Sequence, residues 1–154
     1  MTIKFYETNI GNVGIEEKKG SICAICFNDE GEEKGSHDDE KDILKEAYIK
    51  IDKYLKGDIK KFTLPLVLEG TPFMKEVWEV LQEIPYGETL TYKEVAEKVG
   101  RPKAARAVGM ACNKNPIPIL IPCHRVIGSS GKLTGYRGGM GIKRKLLNLE
   151  SKNL

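Results

Sequence analysis

The stretch Thr91-Tyr92-Lys93-Glu94-Val95-Ala96-Glu97-Lys98-Val99-Gly100-Arg101-Pro102-Lys103-Ala104-Ala105-Arg106-Ala107-Val108-Gly109-Met110-Ala111-Cys112-Asn113 decides how the fold is read. Thr91 with Glu94 makes a capping box, in which each side chain satisfies a backbone N–H at a helix start. Val95, Ala96 and Val99 give that short helix a buried side, and Gly100-Arg101-Pro102 turns the chain. A second short helix is expected from about Pro102 to Asn113. Two such helices around a glycine-containing turn are the pattern of a helix-turn-helix, which structural helical hairpins share. Charge favours the former. Between Glu97 and Glu150 there is no carboxylate, while eleven Lys and Arg residues fall between Lys98 and Lys145.

The second helix is almost bare. Ala104, Ala105, Ala107, Gly109 and Ala111 keep its profile low, interrupted mainly by Lys103, Arg106 and Met110. A major-groove reader carries several long hydrogen-bonding side chains. Small residues around one Arg suit close approach to a narrow groove with little sequence readout. Ala104 and Ala111 fit tight helix packing equally well.

Downstream lies Asn115-Pro116-Ile117-Pro118-Ile119-Leu120-Ile121-Pro122-Cys123-His124-Arg125-Val126-Ile127. Its prolines fix φ and remove donors, so a stiff, non-helical track delivers Cys123 to a defined place. A cysteine read alone is most often a small buried hydrophobe. Here its neighbour His124 is one of two histidines, and Arg125 follows. An unperturbed thiol is only about a few per cent ionised at neutral pH, and a nearby base and positive field raise that fraction. Adjacent residues of an extended segment face opposite ways, so His124 is expected to reach Cys123 only through a bridging water or a sharp turn. Glu150, the single carboxylate after Glu97, flanks the apolar face of the last helix beside Leu146 and Leu147. It lies near that helix's C-terminus, where the macrodipole disfavours negative charge. His124 is its candidate partner; the alternative is an ordinary surface glutamate. Gly131, Gly135, Gly138 and Gly139 around Tyr136 and Arg137 allow close approach to a flat ligand, or form a flexible loop.

Upstream, Thr71-Pro72 reads as N-cap and first-turn proline. Phe73, Val77, Leu81 and Ile84 face inward, and Pro85-Tyr86-Gly87 ends the helix. Residues 58–71 form a connector, which places the domain boundary near 68 and gives domains 1–68 and 69–154. In the first, Ile3–Glu7 and Ser21–Phe27 read as strands, with Gly11, Gly14 and Gly20 at turns. Asn28 to Asp39 reads as a loop. Leu44, Ala47, Tyr48, Ile51 and Leu55 form a helical stripe that Gly57 stops. The fold class is therefore α/β, a small antiparallel sheet plus a helix, followed by a mainly α domain with a helix-turn-helix.

Residues 1–68 hold 11 basic and 14 acidic side chains, and residues 69–154 hold 14 and 8, so the net +3 hides a basic C-terminal half. Such an excess marks a surface for a polyanion, or a basic globular domain. No apolar run approaches the roughly 20 residues of a membrane span, and the N-terminus lacks a signal-peptide pattern. No membrane partner is expected, and the location is expected to be cytoplasmic, or nuclear in a eukaryote. Four cysteines are too few and too unevenly spaced for a secreted disulfide framework.

Residues 115–127 resemble the active-site signature of the O6-alkylguanine-DNA alkyltransferases. The resemblance continues through Gly87-Glu88-Thr89-Leu90-Thr91-Tyr92, Lys103-Ala104-Ala105-Arg106-Ala107-Val108-Gly109 and Gly135-Tyr136-Arg137-Gly138-Gly139, covering roughly 62–150. The N-terminal domain matches only in general layout, ribonuclease H-like, with a winged-helix-like second domain. The resemblance implies a monomer that binds double-stranded DNA containing O6-alkylguanine through the minor groove and flips the base out. It then moves the methyl or other alkyl group irreversibly onto the cysteine, with no cofactor; O4 of thymine is a further substrate in view.

Carried over by residue, Cys123 resembles the acceptor, His124 the water-bridged base, Glu150 its holder and Asn115 the residue ordering the turn. Tyr92 resembles the tyrosine that rotates the 3′ phosphate and donates to the leaving base, and Arg106 the finger that fills the vacated stack. DNA contacts are expected also from Lys93, Arg101, Lys103, Ala104, Ala105, Ala107, Gly109 and Ser129. A substrate pocket is expected from Tyr136, Arg137, Gly138, Gly139 and Met110. Arg125 is expected to serve the contact between domains. Some relatives hold zinc in the first domain, but Cys23 and Cys26 would face opposite sides of a strand with His37 as the one spare histidine. No metal is expected, and Cys23, Cys26 and Cys112 are free thiols or a disulfide. Three rivals remain: a non-catalytic lesion binder, disfavoured by Cys123; an operator-reading regulator, disfavoured by the bare helix; and a cysteine hydrolase, disfavoured by adjacent Cys and His.

Overall fold

A computed structural model of the protein describes residues 2–27 and 42–154. Met1 and residues 28–41 lie outside the described residues, and with them the expected loop Asn28–Asp39 and His37. The chain divides into two compact units, Met1–Leu68 and Glu69–Leu154.

The first unit is a three-stranded antiparallel sheet in the order β1 (Thr2–Thr8), β2 (Gly11–Lys18), β3 (Ser21–Phe27), packed by helix α1 (Asp42–Leu55). Gly11 and Gly20 sit at positive φ (105° and 82°), as tight turns between strands require. Gly14, expected at a turn, lies inside β2. A Cβ there would stand 2.6 Å from Cys26 Sγ and 2.8 Å from the Phe5 ring, so glycine serves cross-strand packing at that position. The β2 strand itself was hidden by its glycines and charges. In α1, Leu44, Ala47, Ile51 and Leu55 are buried as the stripe required. Tyr54 joins them, while Tyr48 lies at the margin and stacks on Tyr6 with ring centroids 4.3 Å apart.

One further correction concerns the cysteines. Glu16 pairs with Ala24 and Glu17 with Ile22, so Cys23 is the extra residue of a β-bulge. A bulge shifts the alternation by one position. Ile22, Ile25 and Phe27 are buried, while Cys23, Ala24 and Cys26 all lie on the half-buried side. Neither sulfur is in a disulfide, and each sits near a main-chain carbonyl, Cys23 with Glu16 (3.5 Å) and Cys26 with Gly14 (3.9 Å).

The second unit carries α2 (Pro72–Glu83), β4 (Leu90–Thr91), α3 (Tyr92–Lys98), α4 (Ala105–Asn113), β5 (Val126–Ile127) and α5 (Met140–Lys152). Thr71 caps α2 by accepting from Met74 N–H, with Pro72 in the first turn. Thr91 and Glu94 form the reciprocal capping box of α3. The second helix starts at Ala105 rather than near Pro102, because Arg101 to Ala104 closes as a turn, with Ala104 N–H donating to the Arg101 carbonyl (2.9 Å). Buried Val77, Trp78 and Leu81 of α2 face the helix-turn-helix, and Trp78 Nε1 donates to the Ala111 carbonyl at 2.9 Å. The short parallel pair Leu90–Val126 and Thr91–Ile127 sets the cysteine segment beside the start of α3. Among the described residues no helix is long and apolar enough to cross a membrane.

Candidate active site and nucleic-acid interface

The proline track does not run extended to Cys123. Ile121 N–H returns to the Ile117 carbonyl (2.9 Å), and Ile119 takes φ 77°, a strained conformation for a β-branched residue. Asn115 braces this loop from inside. Its Nδ2 donates to the Ile121 carbonyl (2.8 Å) and its Oδ1 accepts from Ile117 N–H (2.9 Å). Cys123–Arg125 then forms one turn of 3₁₀-helix, which replaces the extended geometry expected for Cys123 and His124. Cys123 is 5% exposed and His124 fully buried.

His124 Nε2 lies 2.7 Å from Glu150 Oε2, and Glu150 is buried at 1% exposure rather than on the surface. With the Nε2 proton donated to the carboxylate, the ring's basic lone pair is at Nδ1. The same carboxylate accepts from Arg125 Nε to Oε1 (2.8 Å), Arg125 Nη2 to Oε2 (2.8 Å) and Gly87 N–H to Oε1 (3.1 Å). Arg125 Nη1 donates to the Ile84 carbonyl at 2.7 Å. Every one of these partners belongs to the second unit.

Burial sets the protonation states. It pushes the Cys123 thiol up, against the opposing pull of the Asn115 amide, Lys143 and Arg137. Burial thus favours the thiol form of the resting sulfur, while those three groups favour its ionisation. Burial also pushes His124 down; the Glu150 hydrogen bond and charge oppose this, while Arg125 and Lys143 reinforce it. Cys112, on the inner side of α4 with Val108 and Ala111, is pushed up to about 12, first by burial and then by Cys123.

In the sequence Lys143 is one of a basic run with Arg144 and Lys145, which reads as a solvated face. It is fully buried, and its Nζ donates to the carbonyls of Val126 (2.7 Å) and Thr134 (2.8 Å). The signal was its helical phase, since Leu146 and Glu150 follow it on the inward face of α5. Burial lowers its pKa, and Cys123 and Cys112 pull it back up.

Tyr92, the first residue of α3, accepts from Thr134 Oγ1 (3.1 Å) and donates to the Thr134 carbonyl (3.3 Å). Burial pushes its phenol up, so it holds its proton. Tyr92, Lys93, Pro102, Ala105, Arg106, Gly109 and Ser129 line one open depression of about 550 Å³. Arg101, Lys103 and Ala107 are exposed and Ala104 half-buried around it. A Cβ on Gly109 would meet nothing nearer than the Tyr92 ring at 3.8 Å, so the fold itself does not require glycine there. In the loop before α5, Tyr136 is buried and Arg137 Nη1 donates to the Asn115 carbonyl (3.3 Å). Gly138 is half-buried, and Gly139 at φ 95° is the N-cap of α5. Met110, expected in a substrate pocket, is 59% exposed on α4, whereas Cys112 of the same helix is buried and within the electrostatic reach of Cys123. Among the described residues no group of three or more His, Cys, Asp or Glu side chains could hold a metal.

Fold and site together define a two-unit helix-turn-helix protein built around a buried Cys–His–Glu cluster. The chain belongs to the 6-O-methylguanine DNA methyltransferase family. Residues 72–152 match the family's DNA-binding domain and residues 1–68 its ribonuclease-like domain. A methylated-DNA–protein-cysteine methyltransferase of Methanosarcina barkeri is 57% identical over 74% of this chain and 72% of its own length. The Methanosarcina mazei protein of that name is 48% identical over 90% and 89%. The crystal structure of Mycobacterium tuberculosis OGT in complex with DNA superposes with a TM-score of 0.88 at 38% identity, over 98% of this chain and 93% of that one.

Proposed function

We propose that the protein repairs DNA by moving a methyl or other alkyl group from O6 of guanine onto Cys123, once per molecule. The observation that carries this reading is a buried Cys123–His124–Glu150 cluster joined through one β-pair to a helix-turn-helix with an open, basic face. The relatives' names and the DNA-bound Mycobacterium structure support the substrate class. The division of labour follows the two units: 69–154 binds DNA and accepts the alkyl group, and 1–68 is the accessory α/β domain. A monomer, cytoplasmic or nuclear in a eukaryote, suffices.

Duplex DNA lies along α4, with Arg106 filling the stack of an everted guanine and Ala105, Ala107 and Gly109 letting the groove come close. Lys93, Arg101, Lys103, Ala104 and Ser129 hold the flanking backbone. The guanine enters beside Cys123, under the loop carrying Tyr136, Arg137, Gly138 and Gly139. His124 Nδ1 takes the thiol proton through a water, and Lys143 and Asn115 stabilise the sulfur as it ionises. The thiolate attacks the alkyl carbon, the C–O6 bond breaks, and the guanine leaves with its electron pair. Tyr92, still protonated, donates to that departing base. The product is a thioether, which water does not open, so the sulfur is consumed.

Incubation with duplex DNA containing O6-methylguanine, read by intact mass, tests this. One methylene mass on Cys123, never more than one per chain, is the expected result. Repeated turnover with an unmodified protein would overturn it.

A further inference from the structure

We propose that Arg125 is a positioning residue that keeps His124 in its neutral, proton-accepting form by neutralising the Glu150 carboxylate they share. The proposal deepens the reading of Cys123 as acceptor and His124 as its base, and rests on it.

Four donors fill Glu150. Oε1 accepts from Arg125 Nε and Gly87 N–H, and Oε2 from Arg125 Nη2 and His124 Nε2. The guanidinium meets the carboxylate as a two-point fork, the geometry that holds a charge pair most firmly. Its third arm is tied to the Ile84 carbonyl at the end of α2, and the guanidinium carbon lies 5.7 Å from the Tyr86 ring centroid. The fork cannot swing away without leaving a buried charge unpaired.

Charge accounting then assigns the role. Arg125 and Glu150 together are neutral, so a neutral imidazole leaves the enclosed cluster uncharged, and an imidazolium leaves it with one uncompensated positive charge. A buried carboxylate alone beside His124 would favour the imidazolium. The charged groups that act on the ring are Glu150 and Lys143 from α5 and Arg125 from its own turn; Cys123 precedes His124 in that turn, and the Tyr86 phenol lies against the Arg125–Glu150 pair. Of these, Glu150 alone attracts a proton to His124. Burial opposes that pull most, and Arg125 and Lys143 add to the opposition, in keeping with the lowered His124 pKa. A base already protonated cannot accept from Cys123, so the fork sets how far into acid the protein stays reactive.

The test follows His124 directly. In ¹⁵N-histidine-labelled protein the two histidines are told apart with His37→Gln, and the imidazole titration is followed by NMR. In parallel, the single-turnover rate of methyl transfer from O6-methylguanine duplex is measured from pH 5 to 9, about the span over which histidine titrates. Arg125→Met should raise the His124 midpoint by about one unit or more. The acid limb of the rate should move up with it, a loss of about tenfold at low pH that recovers at high pH. Arg125→Lys, which keeps the charge without the fork, should restore most of both. Should Arg125→Met fail to fold, Glu150→Gln and the Arg125→Met/Glu150→Gln pair carry the test: the first should lower the midpoint further, and the pair should return it toward the native value. A folded Arg125→Met chain with a native His124 titration, or a rate loss equal at every pH, overturns the proposal. Native protein that never gains a methyl group on Cys123 would count against the functional reading alone, because the titration stands without it.

Discussion

Cys23-Ala24-Ile25-Cys26 in β3 and Pro122-Cys123-His124 in the 3₁₀ turn are both partly or wholly buried cysteine segments, yet only one is built for chemistry. Burial pushes the Cys23 thiol up to about 11, and Glu16 and Glu17 push it the same way, with Lys18 and a backbone hydrogen bond the lesser opposing pulls. Burial raises Cys123 too, but Asn115, Lys143 and Arg137 oppose it, and a histidine held by a carboxylate stands next in the chain. Desolvation protonates any thiol. What separates the two sites is whether groups that stabilise the anion are fixed around the sulfur before it ionises.

Breaking the second site should have the largest effect. Cys123→Ser should abolish transfer of the methyl group to protein while leaving duplex affinity intact, whereas Cys23→Ser and Cys26→Ser should each keep full transfer. Mass spectrometry with a gel-shift titration separates the outcomes, and a methylated serine variant would end the comparison.

Next comes Glu150→Gln. It leaves the Arg125 guanidinium buried without its counter-charge, for a loss of roughly 3–5 kcal/mol in denaturant unfolding. A loss within ~0.5 kcal/mol would mean that the fork contributes nothing to stability. In the first unit, Gly14→Ala should cost about 1–3 kcal/mol, because its Cβ collides with Cys26 Sγ and Phe5. Adding Cys26→Ala should recover much of that, which a double-mutant cycle reads.

Gly109→Ala sharpens the contrast between inside and outside. The new Cβ has room, so helix stability should rise by about 0.5–1 kcal/mol, while affinity for duplex DNA falls. An unchanged affinity would remove the argument for close approach along α4.

The smallest effect concerns pH. The folded chain holds His124 below its ordinary value of 6.5, so the unfolded chain binds that proton first as the medium is acidified. Stability from this group is complete above about pH 6.5 and is lost as pH falls from there toward the lowered folded value. Melting temperatures across this window should slope more steeply in the native protein than in His124→Asn.

Regions of the molecule also differ in how much of their structure is legible in the sequence. Thr71-Pro72 and Thr91 with Glu94 marked their helix starts because a cap is a bargain struck within a few residues. Leu44, Ala47 and Ile51 marked the inner face of α1 for the same reason. Gly14 misled, because a glycine that makes room for a neighbouring strand looks in sequence like one that turns the chain. The opposite-face expectation for Cys23 and Cys26 failed on a bulge, which depends on the register of β2. At the site, Cys123, His124 and Glu150 were legible as residue types in a basic segment, while Lys143 was concealed beside exposed Arg144 and Lys145.

Sequence alone determined the helix caps, the inward stripes, the proline-constrained approach to Cys123 and the basic, bare helix, since each follows from steric and hydrogen-bond rules acting over a turn or two. Tertiary structure alone decided that Glu150 would serve both His124 and Arg125, that Cys123 would be buried among Asn115, Lys143 and Arg137, and that Lys143 would be drawn inside. Protonation and charge sharing depend on what distant segments converge and how completely they exclude water, and no local pattern carries that information.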